Sequence, residues 1–150
     1  MLSNQVGFGI LIPFLLLWGL VLLPYLTSRW SGWSTLADFF RSDTDFRGQK
    51  WRMQSAAMRY AMSYNNCLTI GANEEGLYLA MPMFFIRVGH PPLFIPWSEV
   101  SASPVTTGWL RGRTRLHLGR DLQIPLTISA ALAQKLQMTA GTQWPLASSR

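Results

Sequence analysis

No charged side chain precedes Arg29, and from Val6 to Leu26 every residue is apolar or is glycine, proline, tryptophan or tyrosine. About 21 residues rising about 1.5 Å each make a helix of roughly 31 Å, the thickness of a bilayer hydrocarbon core. A retained transmembrane anchor over residues 1–28 is therefore expected. A cleaved export signal fits less well: Met1 to Gln5 carry no Lys or Arg, the apolar run exceeds the 7–15 residues of a signal core, and Tyr25 to Trp30 offers no small-x-small cleavage site. Pro13 and Pro24 are tolerated inside a lipid-embedded helix. Tyr25, Arg29, Trp30 and Trp33 cluster just past the span, where amphipathic rings and cations favour the headgroup level. Trp18 sits near the middle of the span beside Gly19, so it either packs against a second transmembrane helix or faces lipid.

Cations set the expected orientation. None lies before the span, whereas Arg29, Arg41, Arg47, Lys50 and Arg52 follow it, so the amino terminus is placed outside and the remaining domain in the cytoplasm. The lone Cys67 agrees with a reducing compartment and reads as a small buried hydrophobe at a strand start. Net charge is +6 and the pI about 10.3. For a tethered domain the nearest polyanion is the anionic leaflet, which attracts each juxtamembrane cation by about 1 kcal/mol, so membrane lipid rather than nucleic acid is the expected partner.

Residues 29–48 read as a juxtamembrane helix and linker. Thr35 with Asp38 resembles a capping box, and Leu36, Phe39 and Phe40 form an apolar helical face that lies in the membrane interface or on the following domain. Ser42 to Gly48 reads as a solvated loop, its two aspartates too isolated for a metal site. Residues 49–141 turn to strand periodicity. A first strand is expected around Trp51–Ser55, followed by Ala56–Ala61 of helix-forming composition and a turn at Tyr64–Asn66. Hairpins are expected from Cys67–Gly71 with Gly76–Met81, and from Thr114–Leu118 with Leu122–Leu126. Leu93–Trp97 forms a further strand and Val105 begins another. Ser129 caps a helix to about Thr139, stopped by Gly141, and 142–150 forms a flexible tail. Arg87, His90 and several prolines break the run from Met81 to Trp97 too early for a second span.

Seven short strands followed by one amphipathic helix is the element order of a pleckstrin-homology-like barrel. Cys67–Gly71, Gly76–Leu79 and the stretch Gly89-His90-Pro91-Pro92-Leu93-Phe94-Ile95-Pro96-Trp97-Ser98-Glu99-Val100 resemble a group of small bacterial single-pass membrane proteins. The Pro-Trp-Ser-acidic-Val part is similar to a strand of GRAM and bacterial pleckstrin-homology-like domains. The resemblance covers roughly Trp51 to Gly141. It implies a membrane-anchored, mainly β (α+β) barrel of about seven strands with a C-terminal helix, in the bacterial inner membrane, and implies no particular chemistry. Pleckstrin-homology domains that bind inositol phosphates use basic residues around the first strand and loop, a position that Lys50 and Arg52 resemble.

Period two along Arg111–His117 puts Arg113, Arg115 and His117 on one strand face. With Arg111 they form a row that could hold lipid phosphates or an acidic partner, although a solvated outer face is the plainer reading. His90, on a rigid Gly-His-Pro-Pro loop, has no carboxylate, nucleophile or second metal-type residue beside it, so a structural role is expected and a catalytic one is the outlying alternative. No zinc spacing, phosphate-cradling loop or dinucleotide fingerprint is present in the sequence, and neither metal nor cofactor is expected. The sequence thus points to a non-enzymatic accessory or scaffold protein docking on other integral membrane proteins, with Trp109 and Pro82-Met83-Phe84-Phe85 as contact candidates. The alternative is a sensor of anionic headgroups using Lys50, Arg52, Arg113 and Arg115.

Overall fold

The computed structural model describes residues 3–59, 62–82, 87, 89–106, 108 and 110–145, with side chains left out for 3–8 and 10. Helix α1 runs from Ser3 to Ser31, so the expected anchor boundary at residue 28 falls inside a continuous helix. The large apolar side chains described from Leu11 to Leu23 point outward: Leu16 is 69 % exposed and Trp18 57 %. Leu11–Ser31 is long and apolar enough to cross a membrane, and among the described residues no second segment qualifies. The Thr27 hydroxyl donates to the Pro24 carbonyl (2.9 Å), capturing an acceptor near the point where proline interrupts the helical ladder.

Gly32, at φ +85°, forms the elbow into helix α2, Trp33–Phe40. A Cβ there would stand 3.0 Å from Ile124 Cδ1, so the tight turn requires glycine twice over. The expected Thr35 cap is corrected: the cap position is Gly32, three residues earlier, because burial of Trp33 fixes the start and the Leu36 amide bonds the Gly32 carbonyl (3.0 Å). Trp33 and Leu36 are fully buried, which answers where the amphipathic face goes: it packs on the domain, leaving Phe39 outside.

Seven strands follow: β1 Gln49–Met58, β2 Met62–Ala72, β3 Gly76–Ala80, β4 Leu93–Pro96, β5 Val100–Pro104, β6 Arg113–Leu118 and β7 Ile124–Ser129. Their antiparallel order, β4-β3-β2-β1-β7-β6-β5, makes a nearly closed barrel in which β1 pairs with β2 and, at Ala57↔Thr127, with β7. Both expected hairpins form, with Thr69↔Ala80 and Leu116↔Leu126 among the pairs. Two expectations are corrected. Ala56–Met58 belong to β1, and Tyr64–Asn66 lie within β2, because burial of Ala56, Met58 and Tyr64 outweighs local preference. The turn signal at Asn66 is a bulge: its φ is +50°, and Ser55 Oγ accepts from its amide (2.9 Å) while donating to its Oδ1 (2.9 Å). The strand placed at Val105 lies before it, as β5, since alternate residues Val100 and Ala102 face the core.

Helix α3, Ala130–Ala140, covers the barrel with Leu132, Ala133, Leu136 and Ala140. It is capped as expected, Ser129 Oγ accepting from the Leu132 amide (3.3 Å) and Gly141 ending it at φ +57°. The expected flexible tail is packed as far as Trp144, whose ring lies 5.6 Å from that of Trp97. The Trp97 indole in turn donates to the Asn73 carbonyl (2.9 Å), tying the β4–β5 corner to the β2–β3 turn.

Candidate functional site at the helix–barrel junction

Ser28 and Ser31 lie on the last turns of α1, three apart and so on one face, and both are buried against the barrel. Opposite them the segment Gly89–Pro92 enters β4, and Tyr64 projects from β2. The Ser28 hydroxyl donates to the Gly89 carbonyl, and Trp33 Nε1 to the Pro91 carbonyl (2.9 Å). Ser31 Oγ donates to the Ser28 carbonyl (3.2 Å) and accepts from the Tyr64 hydroxyl (2.9 Å). Tyr64 has one proton and directs it there, so His90 Nε2, 3.1 Å from the Tyr64 oxygen, donates to it in the tautomer protonated at Nε2. A directed chain results, from His90 through Tyr64 and Ser31 to the backbone of α1. The rings close around it, Trp33 5.2 Å from His90 and Tyr64 5.8 Å from His90.

Each buried polar atom of this chain has a partner, which avoids a desolvation cost of about 1–3 kcal/mol per unsatisfied group. The joint between helix and barrel is thus specific as well as apolar. Burial pushes the Tyr64 pKa up to about 12, against the smaller opposing effect of its bond to Ser31. Because the folded state holds this proton more tightly than the unfolded chain, the Tyr64 contribution to stability is complete below about pH 10 and falls as pH rises from there towards 12. A wild-type minus Tyr64→Phe ultraviolet titration is expected to show this phenol ionising near 12; ionisation near 10 would contradict the buried network.

The structure separates the basic residues singled out in the sequence. Lys50 and Arg52 are exposed on β1, whereas Arg113 and Arg115 stand on β6 beyond β7, and Arg111 lies exposed in the preceding turn. On β6, Arg115 is half-buried and its Nε lacks a partner among the described residues. Burial, and then the neighbouring Arg115 charge, lower the His117 pKa, so that imidazole is neutral at pH 7. Around the elbow, Tyr25 and Trp30 are exposed and Arg29 Nη1 donates to the Tyr25 hydroxyl (3.4 Å). Trp33, expected in the same interfacial belt, is instead completely buried, because its indole is the hinge pin of the junction. Trp18 faces outward, and a Cβ on Gly19 would meet nothing within 4 Å. Pro82 is exposed, while Met83, Phe84, Phe85 and Trp109 lie outside the described residues.

Cys67 is half-buried in the middle of β2, and burial raises its pKa, which makes the thiol a poor nucleophile. Among the described residues, no three or more His, Cys, Asp or Glu come together as metal ligands. Sequence reasoning missed Ser28, Ser31 and Tyr64. The available signal was two hydroxyl residues at helical spacing just where the apolar run ends.

An outward-facing apolar helix joined without slack to a small antiparallel barrel is the class of architecture that fold and junction define. No family model, curated protein or solved structure matches the chain.

Proposed function

We propose that this chain is a non-enzymatic accessory or scaffold protein of the bacterial inner membrane. In this reading its single span holds the amino terminus outside and a pleckstrin-homology-like barrel in the cytoplasm, and it docks on other integral membrane proteins. One observation carries the reading: the helix that is apolar on its outward faces is fixed to the barrel by a buried hydrogen-bond chain, so a partner that engages the helix also fixes where the barrel stands. Seven strands followed by a covering helix support the pleckstrin-homology-like part.

The experiment is a pull-down of the full chain in mild detergent, comparing wild type with Trp18→Leu. Since Trp18 and Gly19 offer a flat ring beside an open backbone, loss of co-eluting membrane proteins by about tenfold is expected from the substitution, about 1.4 kcal/mol of helix packing. Unchanged recovery removes the helix contact. Protease protection of the barrel in intact cells, and its digestion after the inner membrane is opened, tests the orientation.

A second reading, recognition of anionic headgroups, is favoured by one specific feature: Lys50, Arg52 and Arg87 make no ion pair with a carboxylate of the described residues.

A further inference from the structure

We propose that the cleft bounded by Lys50, Arg52 and Arg87 binds the phosphate of an anionic lipid headgroup, at the surface of the membrane that holds α1. The proposal rests on the reading of α1 as a membrane span and adds to it a site, a ligand chemistry and a residue, Arg87, supplied by the segment that clasps the helix.

The cleft, about 220 Å³, lies on the outer face of β1, β2 and β3. Alternation puts Leu68, Ile70, Leu77 and Leu79 into the core, so Thr69 and Tyr78 face the other way, into the cleft. Lys50 and Arg52 come from β1, and Arg87 closes the site from the segment after β3. Three cations and two hydroxyls converge, with no carboxylate among the lining residues. Ligand pockets for drug-sized molecules run from about 300 to 1,000 Å³, so this volume suits a compact headgroup and not an acyl chain.

Two of the three cations, Lys50 and Arg87, are held in place before any ligand arrives. Phe46 and Tyr78 stack face to face at 4.6 Å and 9°, and Lys50 Nζ sits over both rings, 5.6 and 5.5 Å from their centroids. Arg87 Nε donates to the Met81 carbonyl (3.3 Å), which engages the inner guanidinium nitrogen and leaves the two terminal ones as a fork for phosphate oxygens. Burial raises the Tyr78 pKa, opposed by the Arg87 charge and reinforced by the Asp45 carboxylate, so the phenol keeps its proton as a donor with Arg87 in electrostatic reach. Less ordering is then left for binding to impose.

Position supplies the source of the phosphate. Arg87 is separated from Gly89 by one residue, a reach of at most about 7 Å. A Cβ on Gly89 would stand 3.2 Å from Tyr25 Cα, at the end of the apolar span. The cleft therefore opens beside the level that exposed Tyr25 and Trp30 occupy on the helix.

The test titrates the full chain, in a neutral detergent and about 0.15 M salt, with dihexanoyl phosphatidic acid and separately with inorganic phosphate, read by calorimetry. Saturable binding of the lipid is expected, weakened at least tenfold by Arg87→Ala and by Arg52→Ala, and changed less than twofold by Arg113→Ala. Both weakened variants alter exposed side chains, and unchanged melting temperatures verify their folding. Equal weakening by all three substitutions would reveal only a diffuse positive field and overturn the site. Absence of lipid binding overturns it too. Inorganic phosphate bound as tightly as the lipid would name free phosphate as the anion and overturn the headgroup. Failure of α1 to span a bilayer is read separately, by extraction of the protein from membranes with alkaline carbonate.

Discussion

Trp33→Ala is expected to lower the stability of the folded barrel by about 3–5 kcal/mol, the range for removing a large buried aromatic. Trp33 is fully buried, its ring lies 6.0 Å from that of Tyr64 and 5.2 Å from that of His90, and its indole nitrogen holds the Pro91 carbonyl. Truncation leaves a void between α2 and β4 and strands that carbonyl. Trp33→Phe keeps most of the packing and loses the donor, so a smaller cost of about 1–3 kcal/mol is expected. Chemical denaturation in detergent, followed by far-ultraviolet dichroism, measures both. A cost below about 1 kcal/mol for the alanine variant would place Trp33 at a solvated interface, where the sequence alone puts it.

Gly89→Val is expected to release the helix from the barrel rather than unfold the barrel. At φ +78° a β-branched residue is strained by about 1–2 kcal/mol. Its Cβ would also crowd Tyr25 Cα at 3.2 Å and Ser28 Cβ at 3.3 Å, adding about 1–3 kcal/mol of overpacking. The least costly relief is to part the loop from α1, giving up the Ser28 bond. Trypsin cleavage after the exposed Arg29 should then quicken at least tenfold, since cleavage follows the population of the opened form. Gly108→Val is the control, because it carries a similar φ of +77° with nothing within 4 Å of the added Cβ. Equal acceleration in both would assign the effect to backbone strain and remove the close contact from the account.

Where pattern is local, the chain could be read directly. The apolar run of α1, the two hairpins around Asn73–Glu75 and Gly119–Asp121, and the Ser129 cap with its Gly141 stop each depend on neighbours a few residues away. The β1–β2 boundary was misplaced because Met53 and Asn66 adopt positive φ and the register shifts twice, so composition and strand periodicity part company there. The pairings at the junction could not be read. Its bonds join residues 61, 58, 33 and 26 positions apart, and nothing in a linear pattern marks Ser28 as the partner of Gly89 or Tyr64 as that of His90. The basic residues were visible, but not their grouping. Arg87 joins Lys50 and Arg52 only once β3 has carried the chain back past β1.

The elbow at Gly32 gives the molecule a mechanical character. With the end of α1 bolted to the barrel wall on one side of the bend and α2 wedged into it on the other, helix and barrel turn as one body. In a bilayer, rolling the helix about its long axis by some angle would swing the barrel through the same azimuth, so that a rotation too small to change any contact at the helix surface becomes a sideways sweep at the barrel's far rim.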